Sequence, residues 1–221
     1  FYLTAAMLGF MSGSFLFFSA IFQIPLGFLI DRHDPKSVIV ILFSVAALGA
    51  FIFAGAATPF GLTLGRAIMG VGFAGSTVLV LKVADLNLDD RQKSYYYRII
   101  LIGSALGALL AASPSHWIIS HFGWRLYMVL IALAAIAVAT AVGAIIPYRL
   151  EVKKQLPTYE GQWRRLSEAC RSPNYWRILI PVSVGYGTFL AMQGLWMGPW
   201  IQQGMGLSHY HIGLYLSISA L

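Results

Sequence analysis

Cysteine is almost absent: Cys170 stands alone in 221 residues, so no disulfide framework inside the chain holds the fold. Charge is scarce as well. Asp, Glu, Lys and Arg make up 10% of the chain, against roughly 25% in ordinary globular domains, which excludes a water-soluble domain and equally a disordered, self-repelling segment. No G-x-S-x-G, H-E-x-x-H or P-loop sequence occurs, so the usual signatures of nucleophilic, zinc-dependent and nucleotide-dependent chemistry are missing. His116 and His121 are five apart, a spacing that does not set two metal ligands on one helix face. The long apolar runs contain no carboxylate, hence no embedded acid pair.

What is abundant is apolar surface. Hydrophobic residues make up 58% of the chain and the mean hydropathy is +0.74. A transmembrane helix needs about 20 apolar residues to cross roughly 30 Å of hydrocarbon. Six runs meet that length, at about Leu8–Ile30, Val38–Ala56, Phe60–Lys82, Tyr95–Ala112, Trp124–Ile146 and Trp176–Ile201. A seventh begins near His209 and is still apolar at Leu221. The expected fold class is therefore an all-α membrane protein in contact with a lipid bilayer. Phe1 is no initiator and Leu221 falls inside a hydrophobic run, so the chain reads as a fragment of a longer membrane protein.

The basic pI, about 9.7, does not signal a nucleic-acid partner. Apart from Arg66 and Arg125, every Lys and Arg lies in alternate connections: Arg32 and Lys36, then Lys82 to Arg98, then Arg149 to Arg177. The positive-inside rule assigns those connections to the cytoplasm. The excess of basic charge thus reports topology.

Four segments carry the functional reading. The first is Gly27-Phe28-Leu29-Ile30-Asp31-Arg32-His33-Asp34-Pro35-Lys36. It resembles the G-x-L-x-D-R-x-G-R-K loop of the major facilitator superfamily, between the second and third family helices, and matches it at Gly27, Leu29, Asp31, Arg32 and Lys36. Asp34 and Pro35 depart from that pattern and have a local reason of their own. Asp34 can cap the next helix, with Pro35 in its first turn, where a missing N–H costs nothing. The resemblance implies that Asp31 and Arg32 latch helix ends together and release during transport; ordinary interfacial charges are the competing reading.

The second segment, Leu62-Thr63-Leu64-Gly65-Arg66-Ala67-Ile68-Met69-Gly70-Val71-Gly72, resembles the fourth-helix motif L-x-x-x-R-x-x-x-G-x-G. A guanidinium that far inside a span costs several kcal/mol unless it faces a wet cavity or a partner. Arg66 can bind an anionic group, tune a proton-carrying carboxylate, or snorkel to the interface; Gly70 and Gly72 clear room for close packing. The third segment, Gly103-Ser104-Ala105-Leu106-Gly107, places Gly103 and Gly107 one turn apart for helix packing. Gly107-Ala108 stands where the proton-driven drug antiporters of the family carry Gly-Pro. Gly123-Trp124-Arg125 also resembles a family turn and reads as an interfacial anchor. The fourth segment spans Gly185 to Trp200. There Tyr186, Gln193 and Trp196 are candidates to line a substrate cavity, and Gly198-Pro199 is a candidate hinge.

The ends share a pattern: Leu3 to Gly9 and Leu207 to Gly213 both read Leu, hydroxyl residue, three variable positions, aliphatic, Gly. This suits a parallel repeat of two six-helix halves. The organisation expected is a first half-bundle at 1–147 (family helices two to six), a polar cytoplasmic linker at 148–175 and the start of a second half at 176–221. Within the linker, Trp163, Leu166 and Cys170 recur at helical spacing among basic residues, as in an amphipathic helix on an anionic leaflet. Cys170 reads as packing.

The resemblance implies a partial helical bundle and a secondary transporter working by alternating access. It would move a small organic solute, an anion by the evidence of Arg66, with protons as a coupling partner. It implies no cofactor, no catalytic residue and no metal; a monomer in the cytoplasmic membrane of a bacterium is expected. The rivals are a transporter-like scaffold or receptor without transport activity, and a membrane-embedded enzyme whose site lies outside this chain.

Overall fold

In a computed structural model, residues 5–145, 159–192 and 200 are described, and every element among them is a helix. These are α1 (Ala5–Arg32), α2 (Pro35–Gly55), α3 (Pro59–Phe73), α4 (Ser76–Asn87), α5 (Asp90–Ile145), α6 (Tyr159–Arg171) and α7 (Pro173–Ala191). Five stretches among the described residues are long and apolar enough to cross a membrane: Met7–Arg32, Pro35–Gly55, Pro59–Asp85, Asp90–Ala111 and Trp117–Ile145. The sixth expected span begins with α7, while its outer part and the seventh lie outside the described residues. So do Gln193, Trp196, Gly198, Pro199 and the second copy of the terminal pattern, Leu207 to Gly213.

Local chemistry starts the helices. Asp34 caps α2, its Oδ2 accepting the Ser37 N–H at 3.2 Å, with buried Pro35 at the first helical position. The capping reading of the two residues that break the loop pattern is thereby borne out. Thr58 does the same for α3, accepting the Gly61 N–H at 3.2 Å ahead of Pro59. Each cap satisfies a backbone donor that lipid would leave unpaired.

Two expected outlines change. The third span is not one helix: α3 stops at Phe73 and α4 starts at Ser76. Gly75 joins them, with the Ser76 hydroxyl donating to the Phe73 carbonyl at 3.0 Å. Hydropathy is continuous across this joint, so a run of apolar residues does not reveal it. The connection expected at Ser113–Gly123 is helical, and the chain breaks instead at Gly123 (φ 83°, ψ 160°). That is left-handed territory, where glycine avoids the Cβ clash, and it is the only positive φ among the described residues.

The chain divides into two compact units, Phe1–Ile99 with Ile118–Leu156, and Ile100–Trp117 with Pro157–Leu221. In the first, α3 packs against α1 and α2. Small residues bring the backbones together. A Cβ on Gly49 would come within 2.6 Å of Met69 N, and one on Gly72 within 2.5 Å of Ala46 Cα. One apolar cluster joins Met11, Ala47, Ala50, Phe53, Leu62, Met69, Ala132 and Ala135; a second joins Leu26, Ile30, Val38, Leu42 and Leu79. Phe10 is 71% exposed and Leu101 69%, a pattern that water would penalise and lipid accepts. In the second unit, α6 packs on α7. Trp176 Nε1 donates to the Cys170 carbonyl at 2.7 Å, and Arg164 pairs with Glu168 at 3.4 Å. The helical spacing of Trp163, Leu166 and Cys170 is thus a helix in fact.

Candidate functional site

Arg66 sits on the third turn of α3, half-buried, with its guanidinium carbon 5.2 Å above the ring centre of Phe53 on α2. Phe53 and Trp124 pack edge to face, their ring centres 5.6 Å apart and their planes at 78°. Arg125 in turn lies over the Trp124 ring at 4.5 Å, and its Nη2 donates to the carbonyl of Ala56, the C-cap of α2, at 3.4 Å. Two cations therefore bracket two rings. The Arg125 bond also satisfies a terminal helix carbonyl, at the end where the helix dipole favours a positive charge.

Arg66, Phe53 and Trp124 form one wall of a cavity of about 440 Å³. Leu8, Met11 and Ser12 of α1, Leu62 of α3 and Met128 of α5 complete the described lining. Among the described residues no carboxylate pairs with Arg66 and none lines the cavity. The stacking contact offsets part of the guanidinium's desolvation, about 0.5–2 kcal/mol, against a cost of several kcal/mol for a charge within a span. The Arg66 side chain is itself part of the cavity lining.

At the α1–α2 turn, Asp31 Oδ1 and Lys82 Nζ of α4 are 2.9 Å apart, each side chain about a third exposed (32% and 34%). The turn thus has an identified partner, 51 residues away. Beyond it, Asp85 accepts a hydrogen bond from Tyr97 at 2.8 Å and lies 3.7 Å from Lys93. These contacts tie α4 to the start of α5.

The sequence motifs point to one family, and the comparison with family profiles agrees: that of the Major Facilitator Superfamily matches residues 1–221. The chain belongs to the Major Facilitator Superfamily.

Relatives within it match part of the chain. An uncharacterized transporter of Buchnera aphidicola is 31% identical over 104 residues, covering 47% of this chain and 26% of that protein. The inner membrane transport protein YajR of Escherichia coli is 32% identical over 117 residues, covering 52% and 25% respectively. The MFS efflux transporter aclA of Aspergillus oryzae is 29% identical over 116 residues, covering 52% and 21%. The matched stretch spans about a quarter of the length of these curated relatives.

The superfamily motifs fall in different surroundings. Gly70 and Gly72 are both at close approaches: a Cβ on Gly70 would overlap the Phe15 carbonyl of α1, one on Gly72 the Ala46 backbone of α2. Gly27, Gly103 and Gly107 differ, with nothing within 4 Å of a Cβ built there. The close contact expected of Gly103 and Gly107 is absent among the described residues, their helix face being open. Tyr186, expected to line a cavity, lies 64% exposed on α7 in the second unit. Arg32 and Lys36, which flank the α1–α2 turn, are each engaged in an interaction of their own. Phe53, Ser12, Met11 and Met128 were not apparent as site residues from sequence, and Trp124 reads there as an anchor only. Motif order singles out Arg66, but nothing local in the chain says which ring it stacks on.

Proposed function

We propose that the chain forms part of a secondary transporter in which two helical halves move around a central site by alternating access. The substrate is a small organic anion whose charge is met by Arg66. Residues 1–147 supply most of the first half, 148–175 the connecting segment with α6, and 176–221 the start of the second half. The working form is a monomer in the cytoplasmic membrane of a bacterium. The observation that carries this reading is a guanidinium lining a cavity among helices of membrane-spanning length, with no carboxylate partner among the described residues. Such a charge is retained where a ligand completes it. Of the roles open to Arg66, direct anion binding fits better than tuning a neighbouring carboxylate, because the described lining holds none.

The test is counterflow in proteoliposomes carrying the full-length protein, against a panel of anionic and neutral solutes. Exchange of anions only is expected. A protein that exchanges neutral solutes alone removes the case for an anion, and one that exchanges nothing favours a scaffold. Imposing a pH gradient in the same vesicles reads proton coupling directly.

The Asp31–Lys82 pair is read as the latch of one end state. A partly exposed pair contributes about 1 kcal/mol or less, so Asp31→Asn is expected to leave membrane insertion and the unfolding temperature nearly unchanged. It shifts the balance of states by about fivefold. Lys82→Gln gives the same shift, and the exchange Asp31→Lys with Lys82→Asp restores the original rate. Equal uptake in all four proteins would remove the latch.

A further inference from the structure

The cavity's composition narrows the ligand further, on the premise that Arg66 meets a substrate anion. We propose that this cavity takes an amphipathic monoanion: a single carboxylate on a flat, apolar body.

The charge count comes first. One guanidinium faces the cavity, with no second cation among the described lining residues. A dianion would leave one charge desolvated and unmatched, the costliest arrangement a low-dielectric site can hold. The geometry of the cation comes next. The guanidinium carbon lies 5.2 Å from the centre of the Phe53 ring, a contact with the ring's π face that uses up none of the fork's hydrogen-bond donors on an acceptor. A carboxylate is the anion such a fork pairs with through two parallel hydrogen bonds, and the described lining holds no carboxylate of its own.

The remaining walls reject polar bodies. Ser12 supplies the only side-chain hydroxyl of the described lining and Trp124 an indole N–H; Leu8, Met11, Leu62 and Met128 are apolar. A polyhydroxylated ligand would bury hydroxyls against thioethers and methyls, and each unpaired hydroxyl lowers affinity. An apolar body gains from the same walls in proportion to the area it buries. The two methionines are unbranched and polarizable, so they adapt to rings of different outline and also favour aromatic edges. Selection is then strict for charge and polarity and loose for shape. A volume of about 440 Å³ accommodates a fused two-ring acid, within the roughly 300–1,000 Å³ usual for small-molecule sites.

Equilibrium dialysis of radiolabelled 2-naphthoate against the full-length protein in lipid nanodiscs, with empty nanodiscs as blank, tests this. Unlabelled acetate, benzoate, 2-naphthylmethanol, 1,8-naphthalenedicarboxylate and citrate serve as competitors. Saturable binding of one naphthoate per protein is expected. Affinity should rise about tenfold or more from acetate through benzoate to 2-naphthoate. The alcohol and the dicarboxylate should each compete about tenfold less well than naphthoate. Arg66→Ala should lose the binding, and Arg66→Lys, which keeps the charge without the planar fork, should weaken it about tenfold. If Arg66→Ala does not fold, the competitor ranking in the unaltered protein and the Arg66→Lys result decide alone. Competition by 2-naphthylmethanol as strong as by naphthoate overturns the proposal. So does citrate binding more tightly than naphthoate, although in that case the anion reading of Arg66 survives. Anion binding that is indifferent to Arg66 overturns both.

Discussion

Gly72→Ala is expected to destabilise the full-length protein by about 3 kcal/mol. The added Cβ would come within 2.5 Å of Ala46 Cα and would overlap the Ala46 backbone nitrogen as well. A side chain in the way could rotate; two backbones can only part. Separation costs more in lipid than in water, because apolar solvent supplies no hydrophobic force to press helices together and their association rests on van der Waals fit. Helix propensity works the other way, favouring Ala over Gly by about 1 kcal/mol, and is outweighed. Gly70→Ala should act alike at the Phe15 carbonyl, loosening α3 from α1 instead of α2. Gly103→Ala and Gly107→Ala are the internal controls, since nothing lies within 4 Å of the added methyl; they should be neutral or gain up to about 1 kcal/mol. Thermal unfolding of the four purified variants checks the set. Equal unfolding temperatures for Gly72→Ala and Gly103→Ala would mean that the tight α2–α3 approach is not what holds the unit together.

That contrast also shows where sequence reading succeeds and where it stops. Both glycine pairs read in the sequence as room for close packing, Gly103 and Gly107 on one helix face and Gly70 and Gly72 on opposite ones, and only coordinates tell a packed face from an open one. Hydropathy located the spans because burial in lipid acts on each residue independently, over a window of about 20 positions. The same locality made the Asp34-Pro35 cap and the helix through Trp163 and Cys170 legible, each being decided within one or two turns. Long-range partners have no such signature. Lys82 is a plain member of a basic cluster until the fold brings it 2.9 Å from Asp31. Phe53 is one aromatic among 14 phenylalanines until Arg66 lies over it. Breaks inside apolar segments are hidden for a related reason: the Gly75 joint and the Gly123 reversal alter backbone direction without altering hydropathy. Even so, Gly123-Trp124-Arg125 was noticed as a motif. Read there only as an interfacial anchor, Trp124 also packs against Phe53 and lines the cavity.

Arg66→Ala is expected to reduce anion exchange in proteoliposomes by about 30-fold or more, the consequence of removing one partner of a desolvated, hydrogen-bonded charge pair. The size follows from placement. A guanidinium that merely snorkelled to the headgroups would be hydrated at its tip, and its loss would cost packing alone. This one lies over Phe53 on a cavity wall, with Leu62 of its own helix and Trp124 beside it. Arg66→Lys separates charge from shape: an ammonium keeps the positive field but neither stacks as a plane nor presents a two-pronged edge, so a partial loss of about tenfold is expected. Phe53→Leu removes the ring beneath the fork and keeps the apolar volume; the lost cation–π contact, about 0.5–2 kcal/mol, should cost between about twofold and 30-fold in affinity. Placement can be tested without any substrate. In Arg66→Cys, a membrane-impermeant anionic thiol reagent should modify residue 66 from water. Cys170, exposed on α6, is replaced by Ser beforehand. A residue 66 that resists the aqueous reagent while reacting with a lipid-soluble one faces the bilayer, and no charge there could meet a solute in transit.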